Sequence, residues 1–233
     1  MRTEIPGGGV RRGVAITGGL TVVALIVTLP TLAYRASFAH AKRFRVVTDG
    51  AMYRSGQFTA RGLREIIQAH GIRTVLNLQY ENPDPLLPEE WLGTPRHRES
   101  EICREFGVRY IRLEPDRKAT DEELKAMATT GRPYAIDQFL AIMDEPNVRP
   151  VLIHCMAGLH RTGRLTAIYR MEYEGWTAEA AMHELKANGY GDFKCTDTDE
   201  FFVKYIREYQ PKRRFRPLPF PQDDRPSSPG AVR

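Results

Sequence analysis

Between Pro150 and Gly175 the hydrophobic pattern changes character twice. Pro150-Val151-Leu152-Ile153-His154 is a short, nearly continuous apolar run, the pattern of a buried strand. The next stretch, from Cys155 to Gly163, carries two glycines, which permit backbone turns that a residue with a Cβ resists. Beyond it Leu165, Ile168, Tyr169 and Met171 recur at helical spacing until Gly175 ends the run. Strand, tight loop and helix in direct succession imply an α/β fold, a small and mostly parallel central sheet flanked by helices.

The loop reads HCMAGLHRTG from His154 to Gly163, a cysteine followed after five residues by Arg161 and Thr162. In a strand–loop–helix setting, successive backbone N–H groups converge into an anion-binding nest, and the helix N-terminus adds positive potential. The same field lowers the pKa expected for Cys155 and makes it a nucleophilic thiolate. The guanidinium of Arg161 can grip two oxygens of a phosphate-like dianion in a planar fork that lysine does not offer. Thr162 is expected to donate its hydroxyl to the Cys155 sulfur, and His154 to orient the loop by hydrogen bonds. The backbone of Met156, Ala157, Gly158, Leu159, His160 and Arg161 forms the cradle. This chemistry calls for no metal and no cofactor. It suits attack of sulfur on phosphorus, with a phosphocysteine intermediate.

The segment resembles the signature of the cysteine-dependent protein tyrosine phosphatases, specifically the compact bacterial and atypical dual-specificity branch. VLIHCMAGLHRTG carries the core of the resemblance, including the His160-Arg161 pair. MYRSGQFTARGLREIIQAHGIRTVLNL, from Met52 to Leu78, resembles the opening of the same domains. The resemblance runs from about Phe44 to Gln210 and implies a dual-specificity phosphatase-like domain over 44–210. It also implies a general acid, an aspartate on a loop upstream of the cysteine. Asp116 lies 39 residues before Cys155, after the alternating run Val108–Leu113, and is the expected acid. Asp121 and Glu114 are the alternatives, and no tryptophan precedes Asp116 as it does in the family's acid loop.

Among the variable loop positions, Met156 to His160, none is Lys or Arg. Phosphatases of this family that act on lipids or inositol polyphosphates usually carry lysines there. A phosphotyrosine or phosphoserine/threonine protein is therefore the first expected substrate. A membrane phospholipid and an inositol phosphate follow, as smaller phosphate esters. Two readings of another class remain. One is a catalytically weak pseudophosphatase that only binds phosphate. The other is a sulfur-transferring rhodanese, which has no need of the Arg161-Thr162 pair.

Gly13 to Tyr34 contains no charged residue. As a helix it would run about 33 Å, enough for a bilayer core. It is expected to be a transmembrane anchor over 13–34, after a tail over 1–12 and before a linker over 35–43. The alternative is a cleaved signal peptide ending near Ala39-His40-Ala41, which would leave a secreted or periplasmic domain. Arg2, Arg11 and Arg12 flank one side of the run, and Arg35, Lys42, Arg43 and Arg45 the other. The slight excess on the second side points to a cytoplasmic domain.

The remaining composition excludes more than it identifies. Three cysteines, Cys103, Cys155 and Cys195, build no disulfide framework, and no Cys/His group has zinc spacing. The net charge of +5 gathers in the membrane flanks and in Lys212 to Arg216, without the aromatic interleaving that nucleic-acid binding would suggest. Residues 79–95 hold four prolines and read as a loop able to border the site. Residues 211–233 read as a disordered Pro/Arg-rich tail.

Overall fold

In the computed structural model the described residues are 8–34, 41–90, 95–113, 133–191, 199–213 and 223–224. After α1 (Gly8–Tyr34), the chain runs β1 (Arg45–Thr48), β2 (Met52–Gly56), α2 (Ala60–His70), β3 (Thr74–Asn77), β4 (Leu86–Pro88) and β5 (Arg96–Arg98). It continues with α3 (Glu99–Glu105), β6 (Arg109–Arg112), α4 (Tyr134–Asp144), β7 (Val151–Cys155), α5 (His160–Tyr173), α6 (Ala178–Ala187), α7 (Asp199–Arg207) and β8 (Asp223–Asp224). Six strands form one sheet in the order β1-β2-β7-β3-β6-β8. β2, β7, β3 and β6 run parallel; only the outer β1 and β8 are antiparallel to their neighbours. The expected mostly parallel sheet is therefore present.

Strand side chains alternate between the two faces of this sheet, so each face needs its own cover. Met52, Leu76, Ile111, Val151 and Ile153 share one cluster with buried residues of α4, α5, α6 and α7. Tyr53, Val75, Tyr110 and Leu152 share the other with α2 and α3. Each fully buried aliphatic or aromatic side chain contributes about 1.5–3 kcal/mol. Alternation also decides the surroundings of the motif: Cys155 lies on the α5 side, His154 on the α3 side.

Local signals in the sequence set the helix ends. Thr59 caps α2 by accepting from Gly62 N–H at 3.1 Å, and Gly71 ends that helix at φ +58°. Thr177 caps α6 in the same way, accepting from Ala180 N–H at 3.2 Å. The proline-rich stretch expected to be only loop differs from its reading. Leu86–Pro88 pairs antiparallel with Arg96–Arg98 in a small second sheet. Two residues of the expected tail, Asp223–Asp224, pair with the edge of β6.

The expected membrane-spanning anchor is not borne out: among the described residues no helix is long and apolar enough to cross a membrane. The stretch is nevertheless one continuous helix of 27 residues, α1. Its side chains Val22, Val23, Leu25, Ile26, Val27, Leu29 and Leu32 are exposed.

Candidate active site

Cys155 ends β7 at the carboxyl edge of the sheet, where β2 lies alongside in parallel with Gly56 opposite Cys155. It is buried, and its Sγ accepts a hydrogen bond from Gly158 N–H at 3.3 Å. The chain can turn back so tightly because Gly158 adopts φ +75°, a conformation glycine takes readily. A Cβ there would stand 2.4 Å from Gly56 N. Met156 is exposed, Ala157 half-buried, and Leu159 and His160 are buried. Helix α5 starts at His160, so Arg161 and Thr162 occupy its first turn, at the positive end of the helix dipole.

Arg161 is mostly buried and holds an anion of the chain itself. Its Nη1 donates to both carboxylate oxygens of Glu81 at 2.8 Å and reaches Leu78 O at 3.4 Å. The guanidinium also lies 5.1 Å from the centre of the Tyr80 ring. The bond expected from Thr162 to Cys155 is absent: Thr162 Oγ1 is buried and makes no hydrogen bond, while the sulfur is served by a backbone N–H.

His154 faces away from Cys155, as its place on the opposite sheet face requires. Its Nε2 lies 3.0 Å from Glu99 Oε1, both side chains being almost fully buried. That contact lacks hydrogen-bond geometry and neither ring nitrogen has a hydrogen-bond partner, so the expected orienting of the loop by His154 hydrogen bonds is not seen. Glu99 accepts from Tyr110 Oη at 3.0 Å, and Tyr110 Oη accepts from Asn77 Nδ2 at 2.9 Å. Asn77 Nδ2 also donates to Asn82 O at 3.1 Å, and Asn77 Oδ1 accepts from Gln79 N–H at 3.0 Å. This buried network lies beneath the stretch that carries Tyr80 and Glu81. Burial pushes the Tyr110 hydroxyl far above its usual range, so it stays a neutral donor.

Several groups around the loop were not singled out from the sequence. Arg54, in the middle of β2, is 2% exposed and donates from Nη2 to Gly158 O at 2.8 Å. Burial draws its pKa down to about 10. Arg43 donates from Nη1 to Ala157 O at 3.0 Å. Lys42 O accepts from Gly56 N–H at 2.8 Å, and the Lys42 side chain packs where a Cβ on Gly56 would stand. Burial and the neighbouring Arg43 lower the Lys42 pKa, and proximity to Cys155 opposes that shift. Arg54 is a charge in a strand whose residues the structure shows to be buried throughout.

Asp116, the expected general acid, and its alternatives Glu114 and Asp121 lie outside the described residues, as does Cys195. Cys103 is a buried free thiol whose pKa burial raises, the character of a core residue. Among the described residues no three His, Cys, Asp or Glu side chains cluster as metal ligands. A cavity beside α6 and α7, lined by Ala178, Met182, His183, Lys186 and Arg207, includes no residue of the loop.

Known proteins are similar to this chain over part of its sequence and in its fold. Residues 133–210 match the family described as dual specificity phosphatase, catalytic domain. A 43-residue segment is 46% identical to the dual specificity protein phosphatase TpbA of Pseudomonas aeruginosa strain UCBPP-PA14. That segment covers 18% of this chain and 20% of TpbA, so the match spans about a fifth of the curated relative's length. In fold the chain is similar to the core catalytic domain of the PP-IP phosphatase SIW14 from S. cerevisiae, crystallised with citrate. The TM-score is 0.51 at 19% identity, over 75% of this chain and 89% of that one.

Proposed function

We propose that this chain, residues 133–210 of which match the dual specificity phosphatase catalytic domain, hydrolyses phosphomonoesters. Cys155 attacks phosphorus, the leaving oxygen departs with a proton, and water hydrolyses the phosphocysteine. Arg161 and the backbone from Met156 to Arg161 hold the charge of the transition state. Asp116 supplies the proton, as the resemblance implies. The observation that carries the reading is Cys155 Sγ facing Gly158 N–H inside a tight loop, with Arg161 on the helix turn that follows.

A phosphorylated protein is the first proposed substrate. A second reading, a small ester carrying more than one phosphate, has its own support. Lys42 and Arg43 bring cations to a loop that contains no lysine. The similar yeast protein is itself described as a PP-IP phosphatase. Phosphate release from an aryl phosphate, phosphopeptides, a phosphoinositide and an inositol polyphosphate ranks these substrates. Wild type is expected to turn over the aryl phosphate and Cys155→Ser not to. An Asp116→Ala protein as active as wild type would move the acid role to Asp121 or Glu114. Absence of release from every substrate, with phosphate still bound, would make the chain a phosphate-reading module.

For location, we propose association with a membrane through the exposed apolar side chains of α1. Replacing Val23, Ile26 and Val27 with serine is expected to move the protein from the membrane to the soluble fraction on flotation. Unchanged partition would remove the proposal.

A further inference from the structure

Three consecutive carbonyls of the loop are held from outside by the N-terminal part of the domain. Met156 O accepts from Gln57 N–H at 3.3 Å, Ala157 O from Arg43 Nη1 at 3.0 Å, and Gly158 O from Arg54 Nη2 at 2.8 Å. In a trans peptide the C=O and the following N–H point in opposite directions. Holding these carbonyls outward therefore turns the N–H groups of Ala157, Gly158 and Leu159 inward. One of the three is seen directly, since Gly158 N–H points at Cys155 Sγ.

Two further observations single out Arg54. The loop rests on the end of β2 without slack: a Cβ on Gly158 would meet Ser55 C and O at 2.6 Å. Arg54 is also almost fully buried, its Nε has no hydrogen-bond partner, and among the described residues no carboxylate bonds to it. A buried guanidinium without a paired carboxylate is costly unless another anion answers it. The charges acting on it are Cys155 and Glu184, which favour its ionised form, and Arg45 and Arg170, which oppose it. Lys42 also interacts electrostatically with Cys155.

We propose that Arg54, assisted by Arg43, is a positioning residue for the catalytic loop, and that the two guanidiniums preset its N–H groups toward the sulfur and a bound phosphate. Arg54 touches neither the sulfur nor the phosphate; it acts through the Gly158 peptide and through its charge. The inference rests on the phosphate-ester reading of this site.

Its test uses the full chain as wild type, Arg54→Met, Arg54→Lys and Arg43→Met. Two readouts do not depend on turnover: calorimetric binding of inorganic phosphate, and the pH dependence of Cys155 alkylation by iodoacetamide, followed by peptide mass spectrometry. Arg54→Met is expected to weaken phosphate about tenfold, the size of one charge-assisted hydrogen bond, and to move the alkylation profile to higher pH. Arg54→Lys should recover part of the alkylation shift by restoring charge, and less of the phosphate affinity, because it lacks the planar fork. A folded Arg54→Met protein with wild-type binding and alkylation would overturn the proposal. Should that variant fail to fold, Arg43→Met decides on the same readouts, with about a threefold loss of affinity expected. If the expected losses are seen but wild type hydrolyses no ester, the loop inference stands and the phosphatase reading falls.

Discussion

Arg161 Nη1 lies 2.8 Å from each carboxylate oxygen of Glu81, across 80 residues of sequence. A carboxylate and a phosphate demand the same donors from a guanidinium. Glu81 is therefore a competitor within the chain for the group that should bind substrate. Its side chain is 41% exposed, so the contact is screened by solvent and worth well under 1 kcal/mol. Removing that competition with Glu81→Gln is expected to lower KM for an aryl phosphate about threefold, with kcat nearly unchanged. Steady-state kinetics checks this, and a raised KM would instead make Glu81 a partner that orients Arg161 for substrate.

Cys155→Ser removes the thiolate and leaves the backbone cradle in place. Turnover is expected to fall by about 10³-fold or more, while inorganic phosphate still binds. Phosphate release and calorimetry on one preparation separate the two effects. Loss of both together would mean that the loop collapses without its sulfur.

Gly158→Ala meets two penalties at once. The backbone sits at φ +75°, and the added methyl would stand 2.4 Å from Gly56 N, a rigid backbone atom. Together they should cost about 2 kcal/mol or more and loosen the contact of the loop with β2. A denaturant melt reads the loss; an unchanged midpoint would show that β2 can yield.

Tyr110→Phe deletes one hydroxyl that serves Asn77, Glu99 and Pro83 O. Leaving Glu99 short of a donor should cost about 1–3 kcal/mol. The same residue carries a pH signature. Its pKa is raised above the ordinary value of 10.0, so the stability it brings is fully present below about pH 10 and is lost as pH climbs above that. The variant should show a shallower alkaline loss of stability. Tyr53, which is also raised, accounts for part of what remains. Melting curves between neutral and alkaline pH distinguish the two proteins.

What the sequence determined by itself was local. The apolar run into Cys155, the glycine at Gly158 and the helical spacing after Gly163 specify strand, loop and helix, because period and turn chemistry act over a few residues. The caps at Thr59 and Thr177 were legible for the same reason. The parallel sheet followed from alternating strands and helices. The partners of the loop were not legible. Arg54 is 104 residues from Gly158, Arg43 is 114 from Ala157, and Glu81 is 80 from Arg161. Only the parallel pairing of β2 with β7, with Gly56 opposite Cys155, lays Arg54 against the Gly158 carbonyl. The loop's lack of lysine was likewise a local fact with a non-local correction, since Lys42 and Arg43 arrive from the segment before β1. Strand pairing is chosen by which faces can be buried together, a property of the whole sheet that no short window of residues contains.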